Sequence, residues 1–179
     1  LQEDSKDYIK MILKIDESIA RCFFVKKVLV VEGDTEQVVL TETINRMPYD
    51  LKNQILSDWH IVRARGKAAI IPLVKYLKAM TIDVYVIHDG DFGVDGAERF
   101  NEPIKNALSD DDKLVVLKNC IEDVLGYSAP KSDKPFVAYK HIQDNWTDWS
   151  SIPELWRKSV EKIFNGGKTI IHKTNTSEL

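Results

Sequence analysis

The strongest constraint on this chain is an alternation. Four short apolar runs, at Lys27–Val31, His60–Ala64, Asp83–His88 and Lys113–Leu117, are separated by segments of helical spacing. Short continuous apolar runs mark strands covered on both faces, which is the habit of parallel sheets. The first spacer suggests a helix capped by Thr35, carrying Val38, Val39, Leu40, Ile44 and Met47 and stopping before Pro48. The second runs from Ala68 to Met80, with Pro72 tolerated only near a first turn. The third covers residues 97–108. Repeated βα units of this kind predict an α/β fold with a parallel sheet and helical crossovers.

Before the first run, residues 5–24 have mostly helical spacing. After the fourth, the alternation stops. A short helix over 118–126 ends at Gly126, "SAPKSDKP" reads as a loop, and two helical stretches follow at about 135–146 and 152–164. The expected organisation is a leading helix over 1–24, an α/β core over 25–126, a helical extension over 127–165 and a polar tail over 166–179. A chain of 179 residues has room for one ordinary core. It begins at Leu1, directly in a helical pattern, and is expected to be a fragment of a longer protein.

Composition removes several function classes. The net charge of −3 carries no global basic signature, so contact with nucleic acid has to come from a local patch or through metal ions. Cys22 and Cys120 fit no zinc spacing and point to a reduced, cytoplasmic setting. No apolar run approaches the roughly 18 residues of a membrane span, and no signal-peptide pattern opens the chain. "NGGKT" at Asn165–Thr169 is no phosphate loop, because Lys162 stands where the first glycine is required and no strand precedes it.

The chemistry gathers at one edge. In open parallel sheets, sites form beyond the carboxyl ends of the strands. The first run ends in "EGDTE", which places Glu32 at the edge and Glu36 one turn into the next helix. The third ends in "DGD", with Asp89 and Asp91. Glu122 and Asp123 follow the fourth closely. Each motif alone is ordinary turn or helix-end chemistry. Acids arriving at one edge from three separate segments are not, since a cluster of carboxylates does not stay ionised without a cation. Hard oxygen donors suit Mg²⁺ or Mn²⁺, and two such ions can clamp both oxygens of a phosphodiester displacement. Arg63, Arg65 and Lys67 follow the second run and are candidates for contact with a DNA backbone. His88 reads as core or support, and Trp146, Trp149 and Trp156 as packing anchors.

"VEGDTE" followed by "HDGD" resembles the TOPRIM domain, whose pattern is a glutamate after strand one and Asp-x-Asp after strand three. The OLD (overcoming lysogenization defect) family is indicated by "VLVVEGDTE" with its second glutamate, and by "ARCFFVKK", "NCIEDVLG", "DKPFVA" and "SIPELWRKSVEKIF". The likeness runs over residues 15–165 and departs at Cys120, where the family often carries serine. It implies a TOPRIM (Rossmann-like) core of about four parallel strands with flanking helices and a C-terminal helical segment. It further implies a two-metal DNA endonuclease or nickase using Mg²⁺ or Mn²⁺, of the kind that serves phage defence. In that family the domain lies C-terminal to an ATPase domain of the same protein, and a homodimer of the full-length protein is an open expectation. Carried over residue by residue, Glu32, Asp89 and Glu122 would reach one ion, and Glu36 and Asp91 would hold or orient another. Asp123 stands beside Glu122. Lys134 is the nominated catalytic lysine, with Lys140 and Lys168 as competitors. Topoisomerase- or primase-like TOPRIM activity and a non-catalytic metal-binding regulatory module are the alternatives. Receiver-like and dehalogenase-like folds fit less well, because their acidic pair follows the first strand.

Overall fold

The computed structural model describes residues 17–94 and 96–171, so most of the expected leading helix and polar tail lies outside the described residues. Four parallel strands form one sheet in the order β2–β1–β3–β4: β1 Lys27–Val31, β2 Trp59–Arg63, β3 Asp83–Asp89 and β4 Leu114–Leu117. β1 agrees with its sequence-predicted bounds, and the other three shift by a residue at one or both ends. Helices α1 Glu17–Arg21, α2 Asp34–Asn45, α3 Tyr49–Asp58, α4 Lys67–Ala79, α5 Asn101–Leu108 and α6 Ile121–Leu125 accompany the strands. Helices α7 Lys134–Asn145 and α8 Glu154–Asn165 follow.

Side-chain alternation sorts the molecule into two layers about the sheet. Leu29, Val31 and Ile87 face a core closed by α2, α3, α6, α7 and α8. Val28, Val30, Val84 and Val86 face a second core closed by α1, α4 and α5. The helical extension therefore shares a core with the sheet. Trp146, Trp149 and Trp156 are buried there, and Trp156 Nε1 donates to Thr43 Oγ1 at 2.8 Å, which ties α8 to α2. They are packing anchors.

Three local expectations change. Helix α2 begins one residue before Thr35, with Gly33 as its N-cap, because the Glu36 carboxylate folds back to accept the Gly33 N–H at 3.1 Å. Pro72 lies in the second turn of α4, where the carbonyl it leaves unmatched belongs to exposed Ala68. Helix α3 occupies a stretch given no element by periodicity, since it buries only Ile55 fully. Among the described residues, no helix is long and apolar enough to cross a membrane.

Candidate metal and phosphodiester site

The chain reverses direction across the sheet at β1: β2 adds on one side of it and β3 on the other. Ligands of open α/β sheets collect at such a switch point, and here the acids converge. Glu32 follows the last residue of β1. Its backbone carbonyl accepts the Gly66 N–H at 3.0 Å, while Ala64 N–H binds Val31 O at 2.8 Å, so the β2–α4 loop is stitched to the end of β1. Asp89 closes β3 opposite Leu117. Asp91 N–H reaches across to Asn119 O at 3.0 Å, and Asp91 takes a left-handed φ of 48°, a region that aspartate enters more readily than most side chains. Between them, buried Gly90 has no room for a Cβ, which would meet the Leu117 carbonyl and the Phe92 ring. Its carbonyl accepts from Asn101 Nδ2 at 2.8 Å. Glu122 sits in α6, which Cys120 caps at its start and left-handed Gly126 at its end.

The electrostatics follow from crowding. Asp89 is pushed up to about 8, first by burial and then by repulsion from Glu36, Glu32, Asp91 and Glu122. Glu32 is pushed up to about 7, by burial and then by Glu36 and Asp91, with Lys67 pulling the other way. Glu36 is also raised, chiefly by burial. Glu32 Oε2, Asp89 Oδ1 and Glu122 Oε1 are buried without a hydrogen-bond partner. Buried carboxylate oxygens normally find partners, and oxygen donors from three elements make a hard, anionic set suited to a divalent ion. The donor set fits such an ion. Among the described residues, no three acidic, imidazole or thiol side chains stand close enough to form a finished ligand cage.

Two lysines flank the acids. Lys134 Nζ lies 3.4 Å from Glu122 Oε1, at ion-pair distance but outside hydrogen-bond alignment. Burial pulls this ammonium down, and the combined pull of Glu122, Cys120 and Asp89 leaves it raised. Lys140 and Lys168 are exposed. Lys67, a sequence candidate for contact with a DNA backbone, stands apart from Arg63 and Arg65. It is buried, with Nζ donating to Asp91 Oδ2 at 2.8 Å and to Gly90 O at 3.3 Å. The structure therefore places it among the acids rather than on an open surface. Arg63 ion-pairs with Asp34, and Arg65 is exposed. Asp34 thus has a partner. Of the Glu122–Asp123 pair only Glu122 is buried; Asp123 is exposed and accepts from Asn119 Nδ2 at 2.9 Å.

Sequence reasoning passed over Tyr127 and Asn101. The Tyr127 hydroxyl is buried without a partner and raised to about 12, by burial and then by the Glu122 charge. Asn101 fixes the Gly90 carbonyl, and nothing in its sequence surroundings marks it. His88 is core: its Nδ1 lies 2.7 Å from the Asp89 carbonyl, and burial lowers its basicity. The Cys120 thiol is pushed up to about 11 by burial, then by Glu122, which keeps it from being a ready thiolate ligand.

Comparison with known proteins agrees with this geometry. Residues 23–91 match the family described as "Overcoming lysogenization defect protein-like, TOPRIM domain". An OLD nuclease of Thermus scotoductus is 25% identical over 168 residues, covering 84% of this chain and 30% of that protein, so the chain spans about 30% of the length of this relative. The C-terminal region of the Xanthomonas campestris pv. campestris OLD protein superposes with a TM-score of 0.52 at 16% identity, covering 81% of this chain and 97% of that one. The C-terminal region of the Burkholderia pseudomallei OLD protein gives 0.53 at 14% identity, covering 81% and 100%. Residues 23–91 thus match an OLD-like TOPRIM domain, and the chain has the fold of the C-terminal regions of OLD proteins.

Proposed function

We propose that this chain is the nuclease part of an ATPase–nuclease and hydrolyses DNA phosphodiester bonds with Mg²⁺ or Mn²⁺ bound in two positions. The observation that carries this reading is the set of buried oxygens without a hydrogen-bond partner, Glu32 Oε2, Asp89 Oδ1 and Glu122 Oε1, brought to one sheet edge from three elements. Glu32, Asp89 and Glu122 hold one position, and Glu36 and Asp91 hold or orient the other. When bound there, the ions supply Lewis acidity toward the phosphate and lower the pKa of a water nucleophile. The rest is the work of side chains. Glu36, tethered to Gly33 N–H, holds the turn after β1 in shape. Lys67 fixes Asp91. Lys134 approaches from the exposed side and stabilises charge building on the scissile phosphate. Arg63 and Arg65, at the end of β2, meet the flanking backbone.

The OLD nuclease name of the Thermus scotoductus relative supports the chemistry. DNA as substrate, an ATPase domain in the same full-length protein, its dimerisation, a cytoplasmic setting and service in phage defence belong to the same proposal. Plasmid assays test it. The chain is incubated with supercoiled and linear DNA in EDTA, Mg²⁺ or Mn²⁺, beside Glu32→Ala and Asp89→Ala. Metal-dependent nicking lost in both variants is expected. Equal nicking by wild type and variants would sink the reading, and relaxation without nicks would favour topoisomerase chemistry.

A further inference from the structure

The acids open on one side into a cavity of about 570 Å³, between the β2–α4 loop, the first turns of α4 and the segment after β3. Its walls are mostly small and apolar: Ala64, Gly66, Ala68, Ala69, Gly96 and Ala97 leave the space clear. Pro72, Leu73 and Phe100 complete the lining. At the same cavity stand Glu32 and Asp91 from the metal site, with Arg65 and Lys67. The N-terminus of α4, a 13-residue helix, opens beside it, so its partial positive charge favours an anion there. None of the proposed catalytic steps uses this space.

Resting on the nuclease reading, we propose that this slot takes the base of one unpaired nucleotide of the DNA strand, next to the phosphate held at the acids. Three features lead to that occupant. The volume lies in the range of sites for one small molecule, which suits a nucleotide. The walls are apolar and include an aromatic ring, which suits a base that offers a bare π-face. The slot is continuous with the carboxylates through Glu32 and Asp91, so a base seated in it has its own phosphate at the metal site. A base stacked within a duplex has no free face to offer, so it has to leave the stack first. The substrate class is then DNA with single-stranded character at the cut: a frayed end, a flap or a bubble.

The test uses fluorescence anisotropy in EDTA, so that binding is read without cleavage. Single-stranded oligonucleotides carry one abasic residue moved stepwise along the strand. Cleavage positions are mapped in parallel with Mn²⁺. The wild type is expected to lose about tenfold in affinity, or roughly 1.4 kcal/mol, when the abasic residue adjoins the cut. Ala97→Phe and Ala69→Phe, each filling the slot from a partly exposed position, are expected to bind every oligonucleotide alike, with Tm held near wild type. Loss of discrimination in either folded variant supports the slot. No abasic position that matters, or full discrimination retained in both folded variants, overturns it. An RNA strand bound with the same base dependence but tenfold tighter would overturn the assignment to DNA. The nuclease reading fails separately: base-dependent binding without any metal-dependent cleavage removes that reading and leaves the slot.

Discussion

The two lysines beside the acids make opposite uses of one charge. Lys67 has a side chain 5% exposed and is bonded at 2.8 Å to an aspartate that is itself 25% exposed. Lys134 is 49% exposed and stands 3.4 Å from a glutamate that is 1% exposed. At the Lys67 end the cation is buried against a half-buried partner and is committed by geometry. At the Lys134 end only the carboxylate is buried, and the cation reaches it from solvent. A buried, aligned pair holds a loop in place, and removing one member leaves a charge stranded. An exposed ammonium on a long stem is free to follow a substrate. On the proposed nuclease reading, the difference separates a clamp from a working group.

That contrast is broken most directly at Lys134. Lys134→Met is expected to lower metal-dependent cleavage by about 10²–10³-fold, while Tm stays near wild type. A normal rate in this variant, measured in a plasmid-nicking time course, would return the catalytic role to Lys140 or Lys168. Lys67→Met should behave in the opposite way. It strands Asp91 and leaves the Gly90 carbonyl short of a donor, at a cost of about 3 kcal/mol. For a chain of this size that is a fall of roughly 6–12 °C in Tm, read by thermal melts in EDTA. A Tm unchanged by Lys67→Met would mean that the pair is no clamp.

Gly90 sharpens the comparison because both ends of the acid row depend on it. Gly90→Ala pushes a methyl group against the Leu117 carbonyl. The expected cost is about 1–3 kcal/mol from overpacking. Asp89 and Asp91 move together, so Mn²⁺ affinity measured by calorimetry falls as well. Loss of stability with normal metal affinity would show that the turn relaxes without disturbing the acids.

Much of this arrangement is legible in sequence, for a physical reason. Strands buried on both faces are written as contiguous apolar runs, and parallel order sends the residues after them to one edge. That is why Glu32, Glu36, Asp89, Asp91 and Glu122 could be gathered without coordinates. The roles of the cations were not legible. Lys67 looked like a neighbour of Arg63 and Arg65. Its real partner, Asp91, is 24 positions away, and only the fold of the β2–α4 loop over β1 brings them together. Thr35 was a sound cap by residue type, yet Gly33 took the place once Glu36 folded back to it. Helix α3 was hidden because its segment is largely polar, and tertiary packing at Ile55 and partly buried Leu51 fixes it to the core.

The acid row also sets a pH dependence. Glu32 and Asp89 titrate at about 7 and about 8 in the ion-free chain, against 4.5 and 3.8 as ordinary values. Their folded forms hold protons that the unfolded chain has already released, so stability falls as pH rises through this window. In EDTA, Tm should drop by a few degrees from pH 5.5 to pH 8.5. Mn²⁺ competes with those same protons, so its affinity should climb over the same range, with proton release on binding. A metal affinity flat between pH 6 and 8.5 would show that Glu32 and Asp89 are not the ligands.

The smallest effects belong to the Arg63–Asp34 pair, in which Asp34 is exposed and Arg63 half-buried. Such pairs contribute about 0.2–1 kcal/mol, so Asp34→Asn and Arg63→Ala should each leave Tm within a few degrees. Their effects on DNA are expected to differ in sign. Arg63→Ala removes a cation near the backbone and lowers affinity about two- to threefold in low salt, with a shallower salt dependence. Asp34→Asn removes the anion that competes with phosphate for Arg63, and raises affinity by a similar factor. Opposite shifts in anisotropy titrations at 50 mM salt place Arg63 on the DNA path. If both variants shift in the same direction, the pair is only a brace between β2 and α2, and Arg65 is left to meet the backbone at that end of the sheet.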